Sequence, residues 1–215
     1  MNPSDPHADV PILSVGRPLS ESDGLVIAVH GRGASAEDIL DLSRVVAVPG
    51  VCWWAPQAYG HSWYPYSFLA PLEQNQPWID SALANLGSLV ARARAEGMPS
   101  EKIVVSGFSQ GACLSLEWAA RNPGAVGAVV ALSGGLIGPE GRTFDYEGRF
   151  EGTPVFLGCS DVDPHIPLGR VEESAVAMAA MGAAVEKRIY PGMPHTVNPD
   201  EVEWFGRMLE GLVGS

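Results

Sequence analysis

Positive charge, cysteine and long apolar runs are all scarce in this chain. Only 13 lysines and arginines stand against 25 aspartates and glutamates, a net charge of −12. Nucleic acid and anionic membrane surfaces repel such a chain, so neither is expected as a partner. The three cysteines, Cys52, Cys113 and Cys159, show no Cys-x-x-Cys spacing, and each lies in or beside an apolar run. They are expected as buried thiols in a reducing, cytoplasmic compartment rather than as a disulfide or a metal set. No apolar stretch is long enough to cross a bilayer, so no membrane insertion is expected. The opening residues lack the basic-then-apolar order of a signal peptide, and residues 1–10, rich in proline and without periodicity, read as a loose terminus.

What is present is ample for a single folded unit. With 215 residues, 46% apolar and 18% charged, the chain has the length and composition to bury one substantial core. Leu25-Val26-Ile27-Ala28-Val29-His30 and Val51-Cys52-Trp53-Trp54-Ala55 are unbroken runs of strand length, as befits strands covered on both faces. Further strands are expected at residues 102–106, 128–132, 154–158 and 185–190. Between them, helical spacing marks residues 36–46, 78–96, 112–120, 168–181 and 199–212, with Gly97 and Pro99 stopping the second helix. Strand and helix alternate throughout, which predicts an α/β fold in one domain, a mostly parallel central sheet with helices on both faces. Residues 56–77 form a long connection carrying Tyr59, His61, Trp63, Tyr64, Tyr66 and Phe68. A connection of that length is usually functional, as a lid or a pocket wall.

The chemistry centres on Gly107-Phe108-Ser109-Gln110-Gly111, which leaves a strand and enters a helix. A serine on so sharp a turn needs glycine on either side, because neighbouring backbone passes too close for a side chain. Serine is a poor nucleophile unless a base lies in hydrogen-bond reach and a third group fixes the base. Of the five histidines, His195, in the loop after the last strand, is the best placed as base, since ligands meet such sheets beyond the carboxyl ends of the strands. His30, at the end of a strand, reads as a structural hydrogen-bonding residue. The acid is Asp161 or Asp163, both after a strand and both between the serine and the histidine, in the chain order Ser, Asp, His that suits an α/β-hydrolase. Periodicity does not choose between them. The cluster Asp161, Asp163 and His165 also admits a metal reading, but nothing elsewhere completes a ligand set, and no metal or cofactor is expected. A tetrahedral oxyanion needs two donors. Gln110, at the amino end of the helix, offers one backbone N–H, and Arg32, between Gly31 and Gly33, offers the other.

Taken together, His30-Gly31-Arg32-Gly33, Gly107-Phe108-Ser109-Gln110-Gly111, Asp161-Val162-Asp163-Pro164-His165-Ile166-Pro167 and Tyr190-Pro191-Gly192-Met193-Pro194-His195 resemble the phospholipase/carboxylesterase family of small α/β-hydrolases, which includes bacterial carboxylesterases and acyl-protein thioesterases. The resemblance spans about residues 24–212. It implies that Asp163, directly before proline, is the triad acid, with Asp161 shaping the loop. It also implies that the backbone amides of Arg32 and Gln110 form the oxyanion hole, and that Ser109 attacks an ester or thioester to give an acyl-enzyme without a cofactor.

Two departures bear on substrate. An apolar residue commonly stands where Arg32 stands, so a cation is expected near the site, available to an anionic substrate group. Residues 62–64, Ser-Trp-Tyr, match the family, but Pro65 and Tyr66 replace the aspartate that often follows. Trp63, Tyr64, Tyr66 and Phe68 are therefore expected to contact a small or aromatic small-molecule substrate. The alternative use of the rings, Trp53, Trp54 and Trp63 in particular, is to pack the sheet edge or a homodimer contact. Two other functions compete with an esterase: a dienelactone hydrolase-like lactonase, which usually has cysteine where Ser109 stands, and a non-catalytic binding protein retaining the fold.

Overall fold

The computed structural model describes residues 5–214. Seven strands make one sheet in the order β1-β3-β2-β4-β5-β6-β7. They are β1 (Ile12–Gly16), β2 (Gly24–Val29), β3 (Val51–Pro56), β4 (Ile103–Phe108), β5 (Ala128–Leu132), β6 (Pro154–Ser160) and β7 (Ala184–Tyr190). Only β1 runs antiparallel, against β3, and every other pairing is parallel. The helices are α1 (Ala36–Leu40), α2 (Leu42–Val46), α3 (Trp78–Ala95), α4 (Gln110–Arg121), α5 (Leu168–Ala180) and α6 (Pro199–Val213).

Why the strands read as unbroken apolar runs is plain from where alternate side chains go. Leu25, Ile27 and Val29 of β2 join a core with α3, α4 and α5, whereas Val26 and Ala28 join a second core with α1, α2 and α6. Both faces are covered, as expected.

Two expectations are corrected. Strand β1 escapes the run criterion because it lies at the sheet edge with its residues half-buried or exposed. The predicted helix over residues 36–46 divides at Asp41 into α1 and α2.

The loose terminus is a third correction for residues 5–10; residues 1–4 lie outside the described residues. His7 is fully buried. Its amide donates to Ser81 Oγ at 2.8 Å, its Nε2 donates to the Trp63 carbonyl at 3.0 Å, and its Nδ1 accepts from the Tyr59 amide at 3.3 Å. Asn85 Nδ2 donates to its carbonyl. The main chain of this one residue ties the amino-terminal segment to α3 and its ring ties it to the 56–77 connection, and burial lowers the pKa of the imidazole.

The loop between β5 and β6 is fixed by two buried charges. Glu117 of α4 accepts from Tyr146 at 2.7 Å and from the Ile137 amide at 3.2 Å, with Arg121 neutralising it at 2.7 Å. Arg170 of α5 donates to the carbonyls of Leu136, Gly138 and Pro139. Buried charges persist where they are paired in this way.

Candidate active site

Ser109 sits between β4 and α4 with φ 56° and ψ −119°, a conformation a side-chain-bearing residue rarely adopts. The flanking glycines show why it is held there. A Cβ on Gly111 would fall 2.0 Å from the Val29 carbonyl oxygen, and one on Gly107 would fall 2.4 Å from the Gly111 carbonyl carbon. The helix can therefore start hard against the sheet, and the Ser109 side chain projects from the turn.

His195 arrives from the loop after β7. Its Nδ1–H donates to Asp163 Oδ2 at 2.6 Å, and its Nε2 accepts from Ser109 Oγ at 2.9 Å. The Asp163 side chain is fully buried, and that of His195 keeps 17% of its surface exposed. Burial alone would raise the Asp163 pKa, but the bonds from His195 and from the amides of His165 and Ile166, at 2.8 and 3.0 Å, hold it below the usual carboxylate value. The acid therefore stays ionised and fixes the imidazole tautomer. A hydroxyl donating to such an imidazole can lose its proton as it attacks.

Asp161 is turned to another task. Its Oδ1 accepts from the Gly192 amide at 2.8 Å, joining the loop that carries Asp163 to the loop that carries His195. Among the described residues, no three His, Cys, Asp or Glu side chains are grouped as metal ligands. The His195 loop is closed at its far end by a capping box: Asn198 accepts from the amides of Asp200 and Glu201, and Glu201 Oε2 accepts from the Asn198 amide at 2.9 Å. Glu201 is fully buried against Gly158 of β6, where a Cβ would fall 2.0 Å from its Oε1, and that oxygen has no hydrogen-bond partner. Burial pushes its pKa up to about 7.

Where the oxyanion donors were expected, Gly31 lies against Ser109, a Cβ there being 3.3 Å from the serine Cβ. Arg32 follows, and Gln110 opens α4, where its N–H has no intrahelical acceptor. Both side chains turn to the aromatic connection. Arg32 donates to Ser62 Oγ at 3.2 Å, to the Pro65 carbonyl at 2.8 Å and to the Tyr66 carbonyl at 2.6 Å, and lies 5.9 Å from the Tyr64 ring centre. Gln110 accepts from the Trp63 amide and donates to the Tyr64 carbonyl, both at 2.9 Å. The guanidinium expected to meet a substrate anion is spent on main-chain carbonyls. The Gln110 side chain was given no role by the sequence, and only its place beside the serine hinted at one.

A cavity of about 470 Å³ opens over Ser109, and Tyr64, Tyr66, Phe68, His165 and Ile166 are among the residues lining it. Trp63 does not line it. Its indole is buried between the rings of His7 and His30, at 5.1 and 5.2 Å, and donates to the His30 carbonyl at 2.9 Å. Its expected substrate contact is therefore corrected to support beneath the wall. Trp53, Trp54 and Trp63 are all spent inside the chain, which removes the observation on which a homodimer contact rested. His30 accepts the Ala58 amide at 3.0 Å and donates to the Gly31 carbonyl at 2.7 Å, a structural use as expected. His165 and Phe108 flank His195, each with ring centres 4.8 Å from it.

A mostly parallel sheet with helices on both faces, a serine on the turn after its fourth strand, and a histidine and aspartate hydrogen-bonded in line with it define an α/β-hydrolase. The likeness can be narrowed further by sequence. The chain belongs to the phospholipase/carboxylesterase family, whose pattern it matches over residues 11–211. A phospholipase/carboxylesterase from Dyadobacter fermentans is 45% identical, superposes with a TM-score of 0.89, and is matched over 94% of this chain and 96% of that one. Acyl-protein thioesterase 1 of Saccharomyces cerevisiae is 33% identical over 141 residues, 63% of this chain. The namesake from Yarrowia lipolytica is 27% identical over 204 residues, 86% of this chain. The chain spans 62% of the length of the first of these thioesterases and 90% of the second.

Proposed function

We propose that the chain is a serine hydrolase cleaving carboxylic esters or thioesters through an acyl-enzyme. The observation that carries this is the line of two hydrogen bonds, 2.9 and 2.6 Å, joining Ser109, His195 and a buried Asp163. In this reading His195 takes the hydroxyl proton as Ser109 Oγ bonds to the carbonyl carbon. The oxyanion is met by the backbone N–H groups of Arg32 and Gln110, at a loop and a helix start that are already fixed. Collapse of the tetrahedral species breaks the bond to the leaving oxygen or sulfur, which takes the proton from His195. Water then repeats the cycle on the acyl-serine, His195 again removing a proton, and a carboxylic acid departs. Asp163 keeps the imidazole in the tautomer with its proton on Nδ1. The route uses no cofactor.

Aromatic rings and a cavity of about 470 Å³ favour small or aromatic substrates, with Tyr64, Tyr66 and Phe68 as the contacting side chains. The thioester arm is supported by the acyl-protein thioesterase relatives. A reducing, cytoplasmic setting is in keeping with three buried cysteines that form no disulfide. Among the described residues no helix is long and apolar enough to cross a membrane.

The test is steady-state hydrolysis of p-nitrophenyl esters from acetate to palmitate, with acyl-thioesters alongside. Ser109→Ala is expected to lower turnover by at least about a thousandfold while the circular dichroism spectrum stays unchanged. A folded wild-type protein with no Ser109-dependent turnover on any of them would favour the non-catalytic reading.

A further inference from the structure

One residue of the aromatic connection, outside every motif of the sequence, holds the loop that carries Arg32. Residues 31–34 form a tight turn, closed by the Ala34 amide donating to the Gly31 carbonyl at 3.2 Å. His61 meets this turn twice. Its carbonyl accepts from the Gly33 amide at 2.7 Å, and its ring Nδ1 lies 2.9 Å from the Ala34 carbonyl oxygen. A carbonyl oxygen can only accept, so Nδ1 carries a proton and donates it. Gln57, at the same end of the connection, adds a further tie, its Oε1 accepting from the Ala36 amide at 2.8 Å.

His61 takes a costly shape to do this. Its φ is 59°, and that of Gly60 before it is also 59°. The left-handed region is uncommon for a residue with a side chain and persists only where the surroundings fix it. His61 is exposed, so burial does not account for its conformation. What the conformation achieves is to set the carbonyl and the ring of one residue on two successive residues of the turn. A peptide unit is planar, so a bond to its carbonyl also sets the direction of its N–H. The peptide bearing the Arg32 N–H is held at the Gly31 carbonyl, by the His30 ring at 2.7 Å and by the Ala34 amide. His61 fastens the peptide that follows Arg32 and, through its ring, the residue whose amide closes the turn.

We infer that His61 is a positioning residue for the oxyanion hole: its imidazole holds Ala34, and through Ala34 keeps the Arg32 N–H aimed at the oxygen of the tetrahedral species. The inference rests on the hydrolase reading above, with the Arg32 N–H as one of the two donors. His61 does not line the cavity over Ser109, so it acts on rate and not on the binding of the ground-state ester.

The experiment compares His61→Ala, His61→Asn and His61→Gln with the wild-type chain. Each is assayed for kcat and KM on p-nitrophenyl acetate and for inhibition by phenylboronic acid. The boron bonds Ser109 Oγ as the hydroxyl proton passes to His195, which gives a tetrahedral adduct with an oxygen in the oxyanion position. Asparagine places an N–H where histidine has Nδ1–H and tolerates positive φ, whereas glutamine sets its amide one bond further out. Loss of an oxyanion donor costs about a hundredfold to a thousandfold, and a loosened donor should cost less. His61→Ala should therefore lower kcat about tenfold with KM within about twofold, and weaken phenylboronic acid by a similar factor. His61→Asn should recover most of both, and His61→Gln neither. Circular dichroism checks that each variant is folded. If His61→Ala does not fold, the comparison of asparagine with glutamine decides alone. Wild-type kcat in a folded His61→Ala protein, a loss confined to KM, a fall in kcat with boronic acid inhibition unchanged, or asparagine no better than glutamine overturns this inference alone. No turnover of any ester by the folded wild-type protein overturns the hydrolase reading and the inference with it.

Discussion

Glu201 should make the protein less stable as the pH rises through neutrality, and one isosteric change should remove that dependence. Its carboxyl is fully buried, one oxygen accepts the Asn198 amide, and the other has no partner. Burial raises its pKa from 4.5 to about 7. Between those values the folded protein holds a proton that the unfolded chain has released. Stability therefore falls as pH rises, because the unfolded state binds fewer protons over that window. The contribution is fully present below about pH 4.5 and lost above about pH 7, and it amounts to something on the order of 3 kcal/mol. Glu201→Gln keeps an oxygen for the Asn198 amide, and a capping box accepts either residue, but it cannot ionise. Urea unfolding of both proteins at pH 5 and pH 8 isolates the effect, since every other titrating group is common to both. The stability difference, wild type minus variant, should drop by about that amount between the two pH values. A difference that stays constant would refute the buried, proton-holding carboxyl.

Two further outcomes follow from the ties around the site. Arg32→Leu loses three donor contacts to the aromatic connection; kcat/KM should fall by a similar factor for neutral and anionic esters, and a selective loss on anionic esters would restore a role in charge recognition. Asp161→Ala frees the Gly192 amide and lets the loops of Asp163 and His195 drift apart, so kcat should fall about tenfold with KM nearly unchanged; an effect on KM alone would place Asp161 with substrate rather than with the loops.

The parts of the fold that were legible are those whose physics is local. Strand β2 is buried on both faces, so all of its residues are apolar and it reads as a strand from its own composition. The serine turn is legible because only glycine tolerates the contacts at Gly107 and Gly111. Strand β1 was not legible: an edge strand packs against one neighbour and carries no continuous apolar run. His7 was hidden for a different reason. It stands among prolines and acids, and what buries it lies on residues 56 and 74 positions away. Trp63 and Arg32 show the limit of reading a side chain by type. An aromatic ring and a guanidinium suggest substrate contact, yet each is committed to backbone groups that only the folded chain brings near.

The arrangement of Arg32 and Gln110 has a consequence for how this site would change under selection or design. The residues whose backbone would face the oxyanion have side chains that grip the connection bearing Tyr64 and Tyr66. Recognition and rate are thereby mechanically geared. A wall fastened at that many points behaves as a mould and not as a door: it cannot swing open without disturbing the proposed oxyanion donors. Remodelling the aromatic residues for a larger substrate should therefore register in kcat before it registers in affinity.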